Sequence, residues 1–265
     1  MLTIDLAATT AAITGGSSGI GLATAELFVR AGAAVAICGR DEARLEQARS
    51  LLLRADPQAR VLAQRCDVLD AAQMRDFAHA TEARFGATDV LVNNAGQGRV
   101  STFADTADEA WSEELHLKFF SVIYPTRAFL PLLERSPRAA IVNVNSLLAL
   151  QPEPHMVATS AARAGAQSLM RSLATEFAPK GIRVNAILVG LVESGQWRRR
   201  FAAREDASQT WEQWTAALAA RKGIELGRLG KAEEAAQAIF HLATPLSSYT
   251  TGSHIDVSGG LARHI

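Results

Sequence analysis

Cysteine is nearly missing from this sequence: Cys38 and Cys66 are the only two among 265 residues. Neither stands in a CxxC or Cys/His spacing, so neither a disulfide framework nor a thiolate metal centre is expected, and no metal is. Both fall in or beside apolar runs that read as buried strands, where a reduced thiol acts as a small hydrophobe. The cytoplasmic compartment is the matching expectation. Net charge is absent as well: 27 Lys and Arg balance 27 Asp and Glu. Nothing therefore points to nucleic acid or an anionic membrane as main partner. No apolar run approaches the roughly 20 residues of a membrane span. Residues 1–12 lack the basic patch and apolar stretch of a secretory leader, so none is expected. Tyrosine is scarce too, with Tyr124 and Tyr249 the only two.

What is present reads as one folded unit. Hydrophobic residues make up 48% and charged residues 20%, and the length fits a single large α/β domain over residues 1–265. Short apolar runs at 10–14, 34–38, 61–63, 90–93, 140–144, 183–188 and 253–257 read as strands. Between them, helical patterns cover 20–31, 42–53, 71–85, 108–133, 159–178 and 232–242. Strict strand–helix alternation implies a parallel sheet covered on both faces, wound right-handedly into a doubly wound Rossmann fold. Residues 194–227 break the rhythm with Trp197, Phe201, Trp211 and Trp214 among Arg198, Arg199 and Arg200. Following a strand end, this segment reads as a lid over a substrate pocket or as a surface helical hairpin anchored by its tryptophans.

The first strand runs into Thr14-Gly15-Gly16-Ser17-Ser18-Gly19-Ile20-Gly21, with a helix after it. Glycines at 15, 19 and 21 permit a tight turn whose N–H groups approach a pyrophosphate at the helix N-terminus. At the end of the second strand, Gly39 takes the place where an acidic residue would bind the ribose 2′-hydroxyl of NAD, and Arg40 follows. Glycine leaves room for a 2′-phosphate and a guanidinium can pair with it, which favours NADP(H) over NAD(H). Asp67, after the third strand, is placed to accept from the adenine amine.

These motifs, with Asp67-Val68, Asn93-Asn94-Ala95-Gly96, Ile141-Val142-Asn143 with Ser146, Gly181-Ile182-Arg183-Val184-Asn185, Gly190 with Ser194, and Asp256-Val257-Ser258-Gly259-Gly260, resemble the short-chain dehydrogenase/reductases over almost the whole chain. The resemblance implies that Gly15, Ser17, Ser18, Ile20 and Gly21 line the pyrophosphate and that Asp67 and Val68 border the adenine. It implies that Asn94, Ala95 and Gly96 run along the ribose, that Gly190 and Val192 flank the nicotinamide, and that Ser194 contacts the cofactor. It also implies a homotetramer or homodimer, formed through the helices at 108–133 and 159–178.

The family's chemistry uses Asn, Ser, Tyr and Lys, and only the serine is kept here, as Ser146. Thr159 stands at the tyrosine place, Arg163 at the lysine place and Lys118 at the asparagine place. An aliphatic hydroxyl is far less acidic than a phenol, so Thr159 is a poor general acid. Arg163 can hold ribose hydroxyls or stabilise an alkoxide. Lys118 is a second cation whose pKa shifts when desolvated, and His155 could donate a proton near neutral pH. The expected function is an NADP(H)-dependent oxidoreductase that exchanges a hydride with a carbonyl or secondary alcohol on a small molecule, an anionic one included, through an altered proton relay. A catalytically impaired dinucleotide-binding sensor or regulatory protein is the alternative. A lyase or epimerase using Lys118 or His155 as base is the third reading.

Overall fold

The computed structural model describes residues 4–204 and 206–263; the first three residues of the stretch 1–12, and Glu205 within 194–227, lie outside the described residues. Among the described residues seven strands alternate with helices: β1 (Thr10–Thr14), β2 (Ala34–Gly39), β3 (Val61–Arg65), β4 (Val90–Asn93), β5 (Ala140–Ser146), β6 (Arg183–Val189) and β7 (His254–Val257). The helices are α1 (Gly19–Arg30), α2 (Glu42–Ala55), α3 (Ala71–Phe85), α4 (Asp108–Leu133), α5 (Val157–Phe177), α6 (Gly195–Ala202), α7 (Trp211–Lys222) and α8 (Ala232–Ala243).

All strands pair in parallel in the order β3-β2-β1-β4-β5-β6-β7. Their apolar runs are continuous because both faces are covered. Val35, Ile37, Val92 and Val142 face one helix layer, with Phe28 of α1 and Ile239 of α8. Ala36, Leu91, Ile141 and Val184 face the other, with Phe77 of α3, Phe129 of α4 and Met170 of α5. Cys38 and Cys66 are buried in this second layer and unbridged.

Chain order reverses between β1 and β4, so their connections leave on opposite sides and open a crevice at the carboxyl ends of the strands. Local signals set the helix ends around it. Asp41 and Asp70 cap α2 and α3 by accepting from backbone N–H groups. Residues 194–227 form the helical pair α6 and α7. Its aromatics pack on one another, Phe201 against Trp211 at 5.4 Å and Trp211 against Trp214 at 5.9 Å. Arg198 lies 3.7 Å over Trp211 and Arg204 3.8 Å over Phe201, so the ring faces are covered within the pair itself. No helix among the described residues is long and apolar enough to cross a membrane.

Candidate active site

A cleft of about 520 Å³ runs along the strand ends and is lined by most of the residues that the motifs single out. At one end lies the glycine turn. Gly15 and Gly19 adopt positive φ, 64° and 54°. A Cβ on Gly21 would stand 2.4 Å from the Gly15 carbonyl oxygen, so only glycine fits where the turn folds back on α1. The turn is clamped from β4. Asn94 Nδ2 donates to the carbonyls of Thr14 and Gly15 at 3.0 and 3.1 Å. The backbone N–H groups of Asn94 and Ala95 donate to Thr14 Oγ1 at 3.0 and 3.1 Å. Among the described residues Ser18, which precedes α1, makes no side-chain cap bond, and apart from its chain neighbours none lies within 4 Å of a Cβ on Gly19. The helix N-terminus therefore opens on the cleft, as anion binding requires.

Ser17, Gly39, Arg40 and Arg44 meet at the next stretch of the wall. A Cβ on Gly39 would come 3.3 Å from Ser17 Oγ. Arg40 is exposed, and Arg44, from the first turn of α2, pairs with Asp41 at 3.4 Å. Asp67 accepts from Leu69 N at 3.0 Å, which fixes its carboxylate beside buried Val68. Gly96, Val192 and Ser194 line the far side, and Gly190 lies tight against Ser258. The glycine cradle, the open helix end and the cations beside Gly39 fit a dinucleotide with a phosphorylated ribose.

Three charged side chains, Lys118, Arg163 and Glu114, lie together at the cleft wall and just behind it. Lys118, on the second turn after Trp111 of α4, lines the cleft and is 5% exposed. Its ammonium donates to Gln97 O at 2.6 Å and to Glu114 Oε2 at 3.0 Å. Burial pushes its pKa below the ordinary lysine range, Arg163 pushes the same way, and Glu114 opposes both. Arg163, on α5, also lines the cleft. Its Nη1 donates to Asn145 Oδ1 at 3.2 Å, while its buried Nε has no partner among the described residues. Burial lowers its pKa to about 10, so it stays charged at neutral pH. Asn145, at the end of β5, is itself fixed by donating to Arg163 O and Gln167 Oε1.

Thr159 is fully buried and outside the cleft lining. Its hydroxyl donates to Glu114 Oε2 at 2.7 Å and accepts from Arg99 N at 3.1 Å. With one hydrogen to give, that donor is committed. Ser146 sits at the end of β5, also outside the cleft lining, and accepts from Leu148 N at 3.3 Å. His155 is half-exposed, 3.0 Å from Glu153, and also outside the lining. The structure thus brings Lys118 and Arg163 together with the glycine turn, sets Thr159 behind Lys118 and leaves Ser146 and His155 outside the lining.

Glu114, Asn145 and Arg44 were not among the sequence candidates. The Glu114–Lys118 spacing of four on one helix is a readable ion-pair signal, but it reads equally as a solvated surface pair. Nothing in the sequence announced that both partners are buried.

Known proteins share this architecture. The family model for short chain dehydrogenases matches residues 9–205. A 3-oxoacyl-[acyl-carrier-protein] reductase of Thermotoga maritima is 32% identical over 94% of this chain and 96% of its own. Among solved structures, an NADPH-bound short chain oxidoreductase from Pseudomonas aeruginosa, described as containing an atypical catalytic center, superposes with a TM-score of 0.96. It is 68% identical, over 99% of this chain and all of its own. L-sorbose reductase from Gluconobacter frateurii, complexed with NADPH and L-sorbose, superposes at 0.94 with 29% identity over the full length of both. The chain belongs to the short-chain dehydrogenase/reductase family.

Proposed function

We propose that this protein is an NADP(H)-dependent oxidoreductase acting on a carbonyl or secondary alcohol, with the Lys118 ammonium in the proton-donating role of the missing tyrosine. The observation that carries the reading is the buried Lys118 on the wall of the same cleft as the glycine turn and Arg163. Lys118 spends two N–H bonds on Gln97 and Glu114, which leaves a third. A bound nicotinamide supplies the hydride. In the reductive direction the Lys118 N–H bond breaks as the substrate O–H forms, and water reprotonates the amine. Arg163 stabilises negative charge on the oxygen and holds ribose hydroxyls. Ser146 orients the oxygen, and Thr159 supports Lys118 through Glu114.

Two cations face one carboxylate here, which favours an anionic small-molecule substrate such as a keto acid or a thioester on a phosphate-bearing carrier. The preference for NADP(H) rests on Gly39 with Ser17, Arg40 and Arg44, and NADPH in the two solved relatives supports it. Residues 194–227 act as the lid, since Ser194 lines the cleft just before α6. Assembly as a homodimer or homotetramer through α4 and α5, and a cytoplasmic location, complete the proposal.

The test is a titration with NADPH and with NADH, read by energy transfer from the tryptophans, followed by NADPH oxidation with a panel of keto acids, ketoacyl thioesters and hydroxyketones. Tight NADPH binding with turnover of at least one class is expected. Tight binding with no turnover of any class would favour a dinucleotide sensor, the reading that the committed Thr159 hydroxyl supports.

A further inference from the structure

Glu114 lies outside every motif, yet its carboxylate is 3% exposed and is the meeting point of the catalytic end. One oxygen, Oε2, accepts from Lys118 Nζ at 3.0 Å and from Thr159 Oγ1 at 2.7 Å. It thereby joins α4 to the first turn of α5, and through Thr159 to Arg99 in the loop after β4. Gln97, in that same loop, takes the second Lys118 hydrogen at 2.6 Å. Two fixed acceptors define where the third N–H of the ammonium points.

We infer that Glu114 is the positioning residue of this active site, holding the Lys118 ammonium charged at the cleft wall and keeping the Thr159 hydroxyl out of the cleft. The inference rests on Lys118 being the proton donor. The usual arrangement of the family is inverted: there a cation makes a phenol more acidic, and here a carboxylate holds back an ammonium that its surroundings would discharge. Among the described residues few groups face Lys118. Glu114 comes from its own helix, Arg163 from α5 and Arg99 from the loop after β4, while the neighbouring strand end contributes the neutral Asn143 and Asn145. Arg99 is itself paired with Glu113 at 2.5 Å. Among these charges Glu114 alone opposes burial and Arg163, so its removal lowers the Lys118 pKa further.

Only four lysines occur in the chain, Lys118, Lys180, Lys222 and Lys231, so lysine labelled with ¹³C at Cε gives four signals to titrate. Lys118 is assigned by the signal missing from an E114Q/K118M double variant. In E114Q the Lys118 midpoint is expected to fall by about one pH unit or more, and in E114D by less. NADPH affinity should stay within about twofold, because Glu114 does not line the cleft. The high-pH limb of NADPH-dependent reduction should move down with the signal, about tenfold in rate at a fixed pH on that limb for each unit. An unmoved midpoint in folded E114Q overturns the inference, and if E114Q does not fold, E114D decides in the same way. A midpoint that falls while the rate limb stays in place overturns Lys118 as donor, and the catalytic role of the tether with it.

Discussion

Alanine at Gly21 probes the cofactor cradle. The added methyl would lie 2.4 Å from the Gly15 carbonyl oxygen and 2.5 Å from Asn94 Nδ2. Both must retreat by about 1 Å to reach ordinary contact, and neither is the free end of a flexible chain. The oxygen belongs to the turn. The amide is held by its bonds to Thr14 and Gly15, so yielding breaks the clamp between β1 and β4. Overpacking costs about 1–3 kcal/mol, and each strained hydrogen bond adds about 1 kcal/mol. For a chain of this size a total of about 3–5 kcal/mol lowers Tm by roughly 6–20 °C. Distortion of the turn should also weaken NADPH binding at least about tenfold. The control is Gly19→Ala. No atom lies within 4 Å of that Cβ, and the cost is the positive φ of 54°, about 1–2 kcal/mol. Its methyl enters the space proposed for the pyrophosphate, so affinity should fall as far as in G21A with a smaller loss of Tm. Thermal melts and fluorescence titrations measure both. Undiminished NADPH binding in G21A and G19A would refute the assignment of this turn to the pyrophosphate.

Other outcomes follow from the same geometry. Arg40→Ala should weaken NADPH about tenfold, roughly the worth of one charge-assisted contact, and leave NADH unchanged; Arg44 beside it limits the loss, and parallel titrations read the difference. Thr159→Val removes a buried hydroxyl that serves Glu114 and Arg99, so chemical denaturation should show a loss of about 1–2 kcal/mol while kcat changes only a few-fold. The Arg228–Glu234 pair holds the Glu234 carboxyl down at about 2. A depressed carboxylate contributes stability that is present above its unfolded pKa near 4.5 and lost as pH falls towards 2. Arg228→Ala should therefore lower Tm slightly at neutral pH and flatten the acid limb of the melting profile.

The fold was legible because the alternation of apolar runs and helical patterns is strong, and β1, β4, α3 and α4 begin and end where the sequence places them. The glycine turn was legible because its chemistry is local: positive φ and close approach need glycine within a few residues. Helix α5 begins at Val157 rather than at 159, since the residues ahead of it are ordered by a contact from elsewhere, the bridge between Ser101 and Met156. Glu114 was the larger omission. Its role depends on Thr159, 45 residues away, and on both partners facing inward. The committed hydroxyl of Thr159 and the place of His155 outside the cleft lining are likewise set by tertiary packing, which residue type and spacing do not encode.

Whether Lys118 delivers the proton is decided by removing its ammonium. Removing Lys118 alone would strand the buried Glu114 charge, so E114Q should be compared with the E114Q/K118M double variant, below the pH at which Lys118 titrates. Single-turnover NADPH oxidation, with a substrate found in the panel, is the measurement, alongside the NADPH dissociation constant of each variant. Hydride transfer at least about 100-fold slower in the double variant, at similar NADPH affinity, is the predicted result and matches the usual worth of a general acid. Equal rates in the two variants would rule out Lys118 as the proton donor.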